Sequence, residues 1–316
     1  MPASVRDAAL ARAGRLSAAA RSIVDIAAVV GQRVPSALLA ALVPDCSVAV
    51  EEAVARGVLV TQGAALGFRH ELIREAIKNA ISPPRRASLH AQVLAGLESA
   101  PEGADNARLA HHAECAGLAG PASRYARLAA GDAARVGALR EVWLQSERAL
   151  RHGSELGVDE RFELLIQSTR AANFSSMRMG DGAGVAERTV ALADEIGDPV
   201  KQARTRSALA WPLWSSDRLD EARAVAVEAV SILDEDGDPG DLARARATHL
   251  RIEAAGFDPA VVADAGPRAL ALADAAGLDE VRIEIEISLG LARGHLGTPQ
   301  RSSFSAARSE RPVRPV

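Results

Sequence analysis

Glycine recurs every 40 residues through the second half of this 316-residue chain. The positions are Gly117, Gly157, Gly197, Gly237 and Gly277. Glycine is common in this chain, with 25 of 316 residues, so regular glycine spacing alone does not establish a repeat. A second pattern with the same period is required. A period in the range of about 20–50 residues is typical of solenoids, in which each unit buries its apolar face only against its neighbours.

Two further rows of residues have the same period. An apolar row lies upstream of the last four glycines and consists of Leu150, Val190, Val230 and Leu270. A row of small residues lies four positions before it and consists of Ser146, Ala186, Ala226 and Gly266. Positions i and i+4 share a helix face, so each repeat offers one small and one bulky side chain to a neighbour. The three rows together predict an α-helical solenoid.

Each repeat reads as a pair of helices. Glycine suits the left-handed residue that ends a helix, and Pro199 and Pro239 follow where proline can open the next one. The clearest pair is Val200–Trp211 and Leu219–Asp234. The turn between them, 214–222, resembles the turn of tetratricopeptide units, but it lacks their usual glycine. The 40-residue period also exceeds the usual length of about 34 residues, so we interpret 101–296 as tetratricopeptide-like.

Composition agrees with a mainly α fold. Hydrophobic residues make up 48% of the chain and aromatic residues only 3%, so alanine, leucine and valine must build the core. A net charge of −4 does not favour nucleic acid or anionic membrane as a partner. The sequence has no apolar run of about 18 residues, which predicts a cytoplasmic protein without a membrane span. Residues 297–316 lack an apolar face and are expected to be a disordered tail.

The first 100 residues have a different pattern. Ser17 is a candidate N-cap for a helix over 18–30, and helices are also predicted over 35–43, 47–56, 71–81 and 86–97. Between the third and fourth of these, 58–61 and 65–69 flank a short turn and predict a β-hairpin. Three helices followed by a hairpin are typical of a winged helix. We therefore predict a winged-helix domain with a preceding linker over residues 1–100.

The string Phe68-Arg-His-Glu-Leu-Ile-Arg-Glu-Ala76 resembles the winged-helix segment of the large ATP-binding LuxR-type regulators, which carry a STAND-type ATPase. Residues 2–8 and 15–21 resemble the stretch that joins the ATPase to the winged helix in that family. Residues 109–113 resemble the start of its helical-repeat sensor. The resemblance covers about residues 2–295 and implies the middle of a larger regulator.

In that family an ATPase drives switching and a C-terminal helix-turn-helix binds promoter DNA. This chain contains no Gly-x-x-x-x-Gly-Lys-Ser/Thr loop, so ATP or ADP is expected only with an ATPase module that lies elsewhere. His70 also resembles the histidine of the Met-His-Asp motif in related nucleotide switches, which reaches the phosphates of bound ADP. The alternative is that His70 caps the following helix or packs on the wing.

The third helix and the two cysteines are candidates for DNA binding and for metal binding, respectively. The third helix, 47–56, carries Glu51 and Glu52 against Arg56, which does not suit a DNA groove, so we expect no direct DNA binding. Cys46 and Cys115 are far apart and predict neither a disulfide nor a cysteine-based zinc motif.

A pair of adjacent histidines and the three tryptophans are further candidate binding residues. His111 and His112 point about 100° apart on a helix with no evident cysteine or carboxylate beside them, so no metal site is predicted. Trp143, Trp211 and Trp214 are interpreted as core residues, with a ligand groove as the alternative. No catalytic constellation is recognisable, and the chain is not expected to be an enzyme.

Two functions follow as hypotheses. The first is the sensor and scaffold portion of an ATP-dependent LuxR-type regulator, in which the repeats bind a small-molecule inducer or a protein and the winged helix couples binding to the ATPase. The second is a free-standing tetratricopeptide-like adaptor that binds a protein through its concave face.

We expect the purified chain to hydrolyse no ATP and to show no sequence-specific DNA binding, because it has no P-loop and no suitably charged recognition helix. Phosphate release and fluorescence anisotropy measure the two activities. A hydrolysis rate that His70→Ala abolishes would contradict this expectation.

Overall fold

A computed structural model describes residues 10–99, 105–174, 182–256 and 258–297. The predicted tail, 297–316, and the predicted linker segment 2–8 fall almost entirely outside these residues. The chain divides into two compact units, Met1–Leu164 and Leu165–Val316, and each is described by itself. Within the described residues, no helix is both long and apolar enough to cross a lipid bilayer.

Unit 1 begins with helices and a small sheet. Its elements are α1 (Ala18–Val30), β1 (Arg33–Pro35), α2 (Ser36–Leu42), α3 (Ser47–Ala55), β2 (Leu59–Gln62), β3 (Ala65–Phe68), α4 (Glu71–Ala80), α5 (Pro83–Glu98), α6 (Asn106–Cys115), α7 (Ala119–Arg135) and α8 (Leu139–His152). Helix α9 (Val158–Phe174) runs across the division between the units.

In the described residues of unit 2, all regular secondary structure is helical. After α9 it contains α10 (Gly182–Ile196), α11 (Pro199–Ser215), α12 (Leu219–Asp236), α13 (Pro239–Ala254), α14 (Pro259–Ala275) and α15 (Asp279–Gly297). From α10 onward consecutive helices pack as neighbours, and α13 also contacts both α11 and α15 directly. The predicted mainly helical fold with helical repeats is therefore confirmed.

The predicted order of three helices and a hairpin is confirmed in unit 1. The hairpin strands pair antiparallel, with Leu59 opposite Phe68 and Gln62 opposite Ala65. One strand was not predicted: β1 pairs antiparallel with the other side of β3 and gives a three-stranded sheet of order β1-β3-β2. A strand of three residues is too short to show an alternating pattern in the sequence.

The apolar core of unit 1 surrounds α1. From Ile23 onward this helix is buried throughout, and its side chains meet those of the sheet, α4 and α5. Ser17 caps it as predicted, because the Ser17 hydroxyl accepts a hydrogen bond from the Ala20 amide at 3.2 Å. The helix predicted over 86–97 begins earlier, because Pro83 and Pro84 occupy its first turn. The first turn suits proline because its amides have no partner within the helix.

The 40-residue period is a structural period in unit 2. Trp211 and Arg251 are one period apart, and the Arg251 guanidinium lies 4.1 Å from the centroid of the Trp211 ring. Asp198, Asp238 and Asp258 each cap a helix that proline opens, as predicted for Pro199 and Pro239. Equivalent residues of successive repeats therefore meet across neighbouring helices.

The glycine row is confirmed in part. Gly117, Gly197 and Gly277 have φ of +76°, +70° and +65°, the left-handed conformation predicted for a helix end. Gly237 has φ of −88°, and Gly157 is not among the residues with positive φ, so the left-handed prediction is wrong at these two positions. At Gly157 the reason is local: the preceding helix already ends at His152, with Gly153 as its C-cap.

In the turn between α11 and α12, an aspartate stands in for the glycine that tetratricopeptide turns usually contain. Asp217 follows α11 with φ of +63°, and Gly137, two periods earlier, has φ of +67°. Aspartate tolerates the left-handed region better than most side chains do. At that position this turn therefore differs from the tetratricopeptide turn in its residue type, while its backbone keeps the left-handed conformation.

The predicted small row brings helices together. A Cβ added to Gly266 of α14 would lie 2.5 Å from Cδ2 of Leu289 on α15. The apolar row that accompanies it is half-buried, and the residues one position earlier, Ala149, Thr189, Ala229 and Ala269, have no exposed surface. The most buried row is therefore shifted by one residue from the predicted one.

Gly266→Val should lower the free energy of unfolding by about 1–3 kcal/mol, since the added methyl groups would overlap the Leu289 side chain. Gly290→Val in α15 is the control, because a Cβ there has no neighbouring atom within 4 Å. Thermal unfolding followed by circular dichroism measures both. Equal effects of the two substitutions would contradict the close approach at Gly266.

Candidate functional site

A cleft in unit 1 lies between the end of α1 and helices α4, α5 and α6, with a volume of about 570 Å³. We call it the histidine cleft. Its wall carries the cationic side chains Arg74, Lys78 and Arg86 and the potential metal ligands His90, His111 and Cys115. A concave site with convergent charged and titratable groups is the default candidate for binding.

Helix α4 supplies the cationic wall because Arg74 and Lys78 are four residues apart and share a face. The Arg74 guanidinium donates a hydrogen bond of 2.8 Å to the Ala28 carbonyl and pairs with Glu71 and Glu75. The hydrogen bond to Glu71 holds the pKa of Arg74 above its ordinary value. The Lys78 ammonium pairs with Glu75 at 2.8 Å. These contacts hold both cations at the cleft.

Three histidines converge beside this wall. Nδ1 of His90 on α5 lies 3.0 Å from Nδ1 of His112 on α6, and both residues are buried. The ring of His111 lies 5.6 Å from that of His90 and 5.4 Å from that of His112, measured between centroids. Because one of two facing nitrogens must donate, at least one of the His90 and His112 rings carries its proton on Nδ1.

The structure favours neutral imidazoles. Burial, followed by the charges of His111 and Arg86, lowers the pKa of His90 to about 4. Burial, followed by the charges of the other two histidines, lowers the pKa of His112 to about 3. Burial also lowers the pKa of His111, with a contribution from Arg148. At neutral pH these rings can accept hydrogen bonds or bind a metal ion through a lone pair.

Cys115 belongs to the same cluster. Its Sγ lies 3.9 Å from either ring nitrogen of His111, and burial raises the pKa of its thiol. The interpretation that no cysteine accompanies His111 and His112 is therefore wrong. The spacing of four residues between His111 and Cys115 was the signal in the sequence, since it places both on one face of α6. His90 comes from another helix, and nothing in the sequence indicates that it joins them.

His70 lies outside the histidine cleft. It is the N-cap residue of α4, and its carbonyl accepts a hydrogen bond from the Ile73 amide at 3.0 Å. Its side chain is exposed and makes no capping hydrogen bond, so the alternative that His70 caps the helix is confirmed for its position but not for its side chain. Whether it contacts ADP stays a prediction.

Helix α3, judged unsuitable for a DNA groove, uses one of its acidic residues internally. Glu52 accepts hydrogen bonds from the amide and hydroxyl of Ser17 at 2.8 and 2.6 Å. These bonds lower the pKa of Glu52. The carboxylate thereby joins α3 to the start of α1.

A second polar region lies in unit 2, on the first helices of successive repeats. We call it the repeat face; its charged residues are Arg170 of α9, Arg204 of α11, Asp241, Arg244 and Arg251 of α13, and Glu280 and Glu284 of α15. Asp241 pairs with Arg204 at 2.9 Å and with Arg170 at 3.3 Å. Arg251 pairs with Glu284 at 3.1 Å. The Arg204–Asp241 and Arg251–Glu284 pairs connect the first helices of successive repeats, and the Arg170–Asp241 pair reaches from α9 to α13.

Two of the three tryptophans border the repeat face. Trp211 and Trp214 are stacked, with ring centroids 4.6 Å apart, and both are half-buried. Trp211 also carries the Arg251 guanidinium on its ring. The interpretation of these residues as core is therefore incomplete, because one ring face of Trp211 contacts a charge. Trp143 of α8 is half-buried in unit 1.

No protein-family model matches the sequence, and a search of curated proteins finds no match. Among solved structures, a Pyrococcus horikoshii protein described as a Signal Transduction ATPase with Numerous Domains (STAND) protein with a tetratricopeptide repeat sensor is similar over 90% of this chain, with a TM-score of 0.42 and 13% identity. The present chain covers 48% of that protein's chain and so spans about half its length.

We predict that unit 1 loses stability as the pH falls from about 6.5 towards 4. The folded pKa values of His90 and His112, about 4 and about 3, lie below the ordinary value of 6.5, so the unfolded chain binds more protons in that window. The loss should be about 1–3 kcal/mol per pH unit, and it is absent above pH 6.5.

Nuclear magnetic resonance of the histidine rings tests this directly, because both rings should remain neutral at pH 5. Urea unfolding at several pH values gives the slope, and the double variant His90→Gln/His112→Gln should flatten it. Protonation of both rings near pH 6.5 in the folded protein would contradict the prediction.

Proposed function

We propose that this chain is the coupling and sensing segment of a nucleotide-switched regulator that resembles the large ATP-binding LuxR-type proteins. In this proposal unit 1 contains a winged helix that contacts an ATPase module, and the helical repeats bind a small-molecule inducer or a protein. The P-loop and the DNA-binding helices lie outside this chain. The chain itself acts as a sensor and scaffold, not as an enzyme.

The position of His70 carries the proposal. The string that resembles the regulator family, residues 68–76, begins at the last residue of β3 and continues into α4, and His70 lies at the junction. Its side chain is exposed and does not cap the helix. A docked ATPase module could therefore reach it without unfolding either element.

Histidine suits a contact that depends on the bound nucleotide. Its ring donates a hydrogen bond to a phosphate oxygen, and a nearby phosphate favours the protonated, charged form. Loss or gain of a phosphate changes both interactions, so a histidine at this place can distinguish two nucleotide states. This is the role that the resemblance implies for His70.

The repeat face supports the sensing part of the proposal. The Arg204 and Asp241 side chains are only 13% and 15% exposed, and Arg251 and Glu284 are similarly covered. Burial raises the pKa of Glu284 and lowers the pKa of Arg251, which shows that the surroundings disfavour charge. Buried ion pairs contribute little net stability compared with apolar packing. Their presence along one face favours recognition of a polar ligand there.

The test uses an ATPase module with a Walker A loop, encoded on the same or an adjoining reading frame. The purified module and this chain should form a complex in ADP that gel filtration resolves. His70→Ala should weaken ADP retention by the complex at least tenfold, because the contact to the phosphates is lost. Release of a fluorescent ADP measures it.

His295→Ala is the matched control, since His295 is also exposed but lies near the end of α15 in unit 2. It should leave ADP retention unchanged. If no such module is encoded, or if it forms no complex with this chain, the proposal fails and the adaptor hypothesis gains support. Equal effects of the two histidine variants would contradict the role of His70.

A further inference from the structure

His90, His111 and Cys115 bring three potential metal-ligand atoms within 4.8 Å of one another. We propose that these residues form a binding site for a transition-metal ion of the zinc type, with a fourth coordination position open to the histidine cleft. Two nitrogen ligands and one sulfur ligand favour zinc or copper over magnesium and calcium, which prefer oxygen.

The two ligands on α6 are nearly in place. Cys115 Sγ lies 3.9 Å from both ring nitrogens of His111. In a tetrahedral zinc site with ordinary bond lengths, sulfur and nitrogen ligands are about 3.5 Å apart. A small rotation of either side chain closes the difference. Both side chains are exposed, so such a rotation meets little resistance.

The third ligand is oriented by a neighbour. Nδ1 of His90 faces Nδ1 of His112 at 3.0 Å, which leaves Nε2 of His90 for the metal ion. When Nδ1–H of His90 donates to Nδ1 of His112, Nε2 of His90 carries the lone pair that ligation requires. Ligating histidines usually donate their other ring N–H to a carboxylate, a backbone carbonyl or water, which fixes tautomer and ring orientation, and here an imidazole nitrogen takes the acceptor's place. His112 is thus a positioning residue, and its burial holds the pair in place.

The cleft determines what completes the coordination shell. Three protein ligands and one open position are the arrangement in which zinc keeps a water molecule or an external ligand. Arg74, Lys78 and Arg86 line the same cleft, and Glu71 and Glu75, which pair with the first two, offset part of their positive charge. Binding of the metal ion displaces the proton of the Cys115 thiol to solvent, and the cleft cations favour an anion, such as a carboxylate or phosphate, at the fourth position. With a thiolate and one singly charged anion, the charge of a divalent ion is balanced.

The experiment titrates the metal-free, full-length chain with Co²⁺, which substitutes for zinc and absorbs visible light. We expect one equivalent to produce the d–d bands of tetrahedral cobalt and a sulfur-to-cobalt charge-transfer band, and Zn²⁺ to remove both. Cys115→Ser should abolish the charge-transfer band, and His90→Gln or His111→Ala should weaken binding at least tenfold.

Cys46→Ser is the matched control, because Cys46 is the other free cysteine and lies outside the cluster. It should leave the cobalt spectrum and affinity unchanged. His112→Gln should lower affinity about 10–100-fold and shift the d–d bands while circular dichroism stays the same, which a purely structural role would not produce. Absence of the charge-transfer band, its persistence in Cys115→Ser, or its loss in Cys46→Ser would overturn the proposal.

Discussion

Close approach of helices through small side chains is the constraint on which the repeat region depends. With aromatic residues at only 3% of the chain, few large side chains are available to span wide gaps between helices. The most buried row accordingly consists of alanine and threonine, and Gly266 allows Leu289 to pack directly against its backbone. Interiors are packed closely, so each such contact restricts the helix positions on either side.

Small side chains on the shared faces leave the long side chains to connect the repeats. Arginines of α11 and α13 reach acidic residues on the next first helix, and Arg251 lies on the ring of Trp211. Their aliphatic stems cover apolar surface while their charged ends meet partners. The same residues therefore join successive repeats and give the repeat face its polar character.

The histidine cleft shows how neighbouring helices can set the chemistry of a side chain. His90 and His112 are buried next to one another and beside cations, so both imidazoles are held neutral. His111, adjacent to His112 along the chain, faces the exposed side of α6 together with Cys115. Helix α6 thus carries the buried His112, which faces His90, and the exposed potential metal ligands His111 and Cys115. The division follows from the angle of about 100° between consecutive residues of a helix.

Features that depend on a few consecutive residues, or on a regular spacing, could be predicted from the sequence. The Ser17 cap, the prolines that open helices, the hairpin over 59–68 and the 40-residue period each depend on backbone preferences or on a regular spacing. The pairing of β1 with β3 and the approach of His90 to His111 and Cys115 depend on which helices pack together. At Gly237 the period placed a glycine at the helix end, yet its φ is −88°, so residue type at that position does not by itself fix the left-handed conformation. The sequence by itself determined the mainly helical repeat architecture, since a fixed period of small, apolar and helix-ending residues requires repeated helix pairs, although the most buried row lies one residue before the predicted one. Only the tertiary structure decided the histidine cleft and the repeat face, since both bring together residues from helices that are separated along the chain.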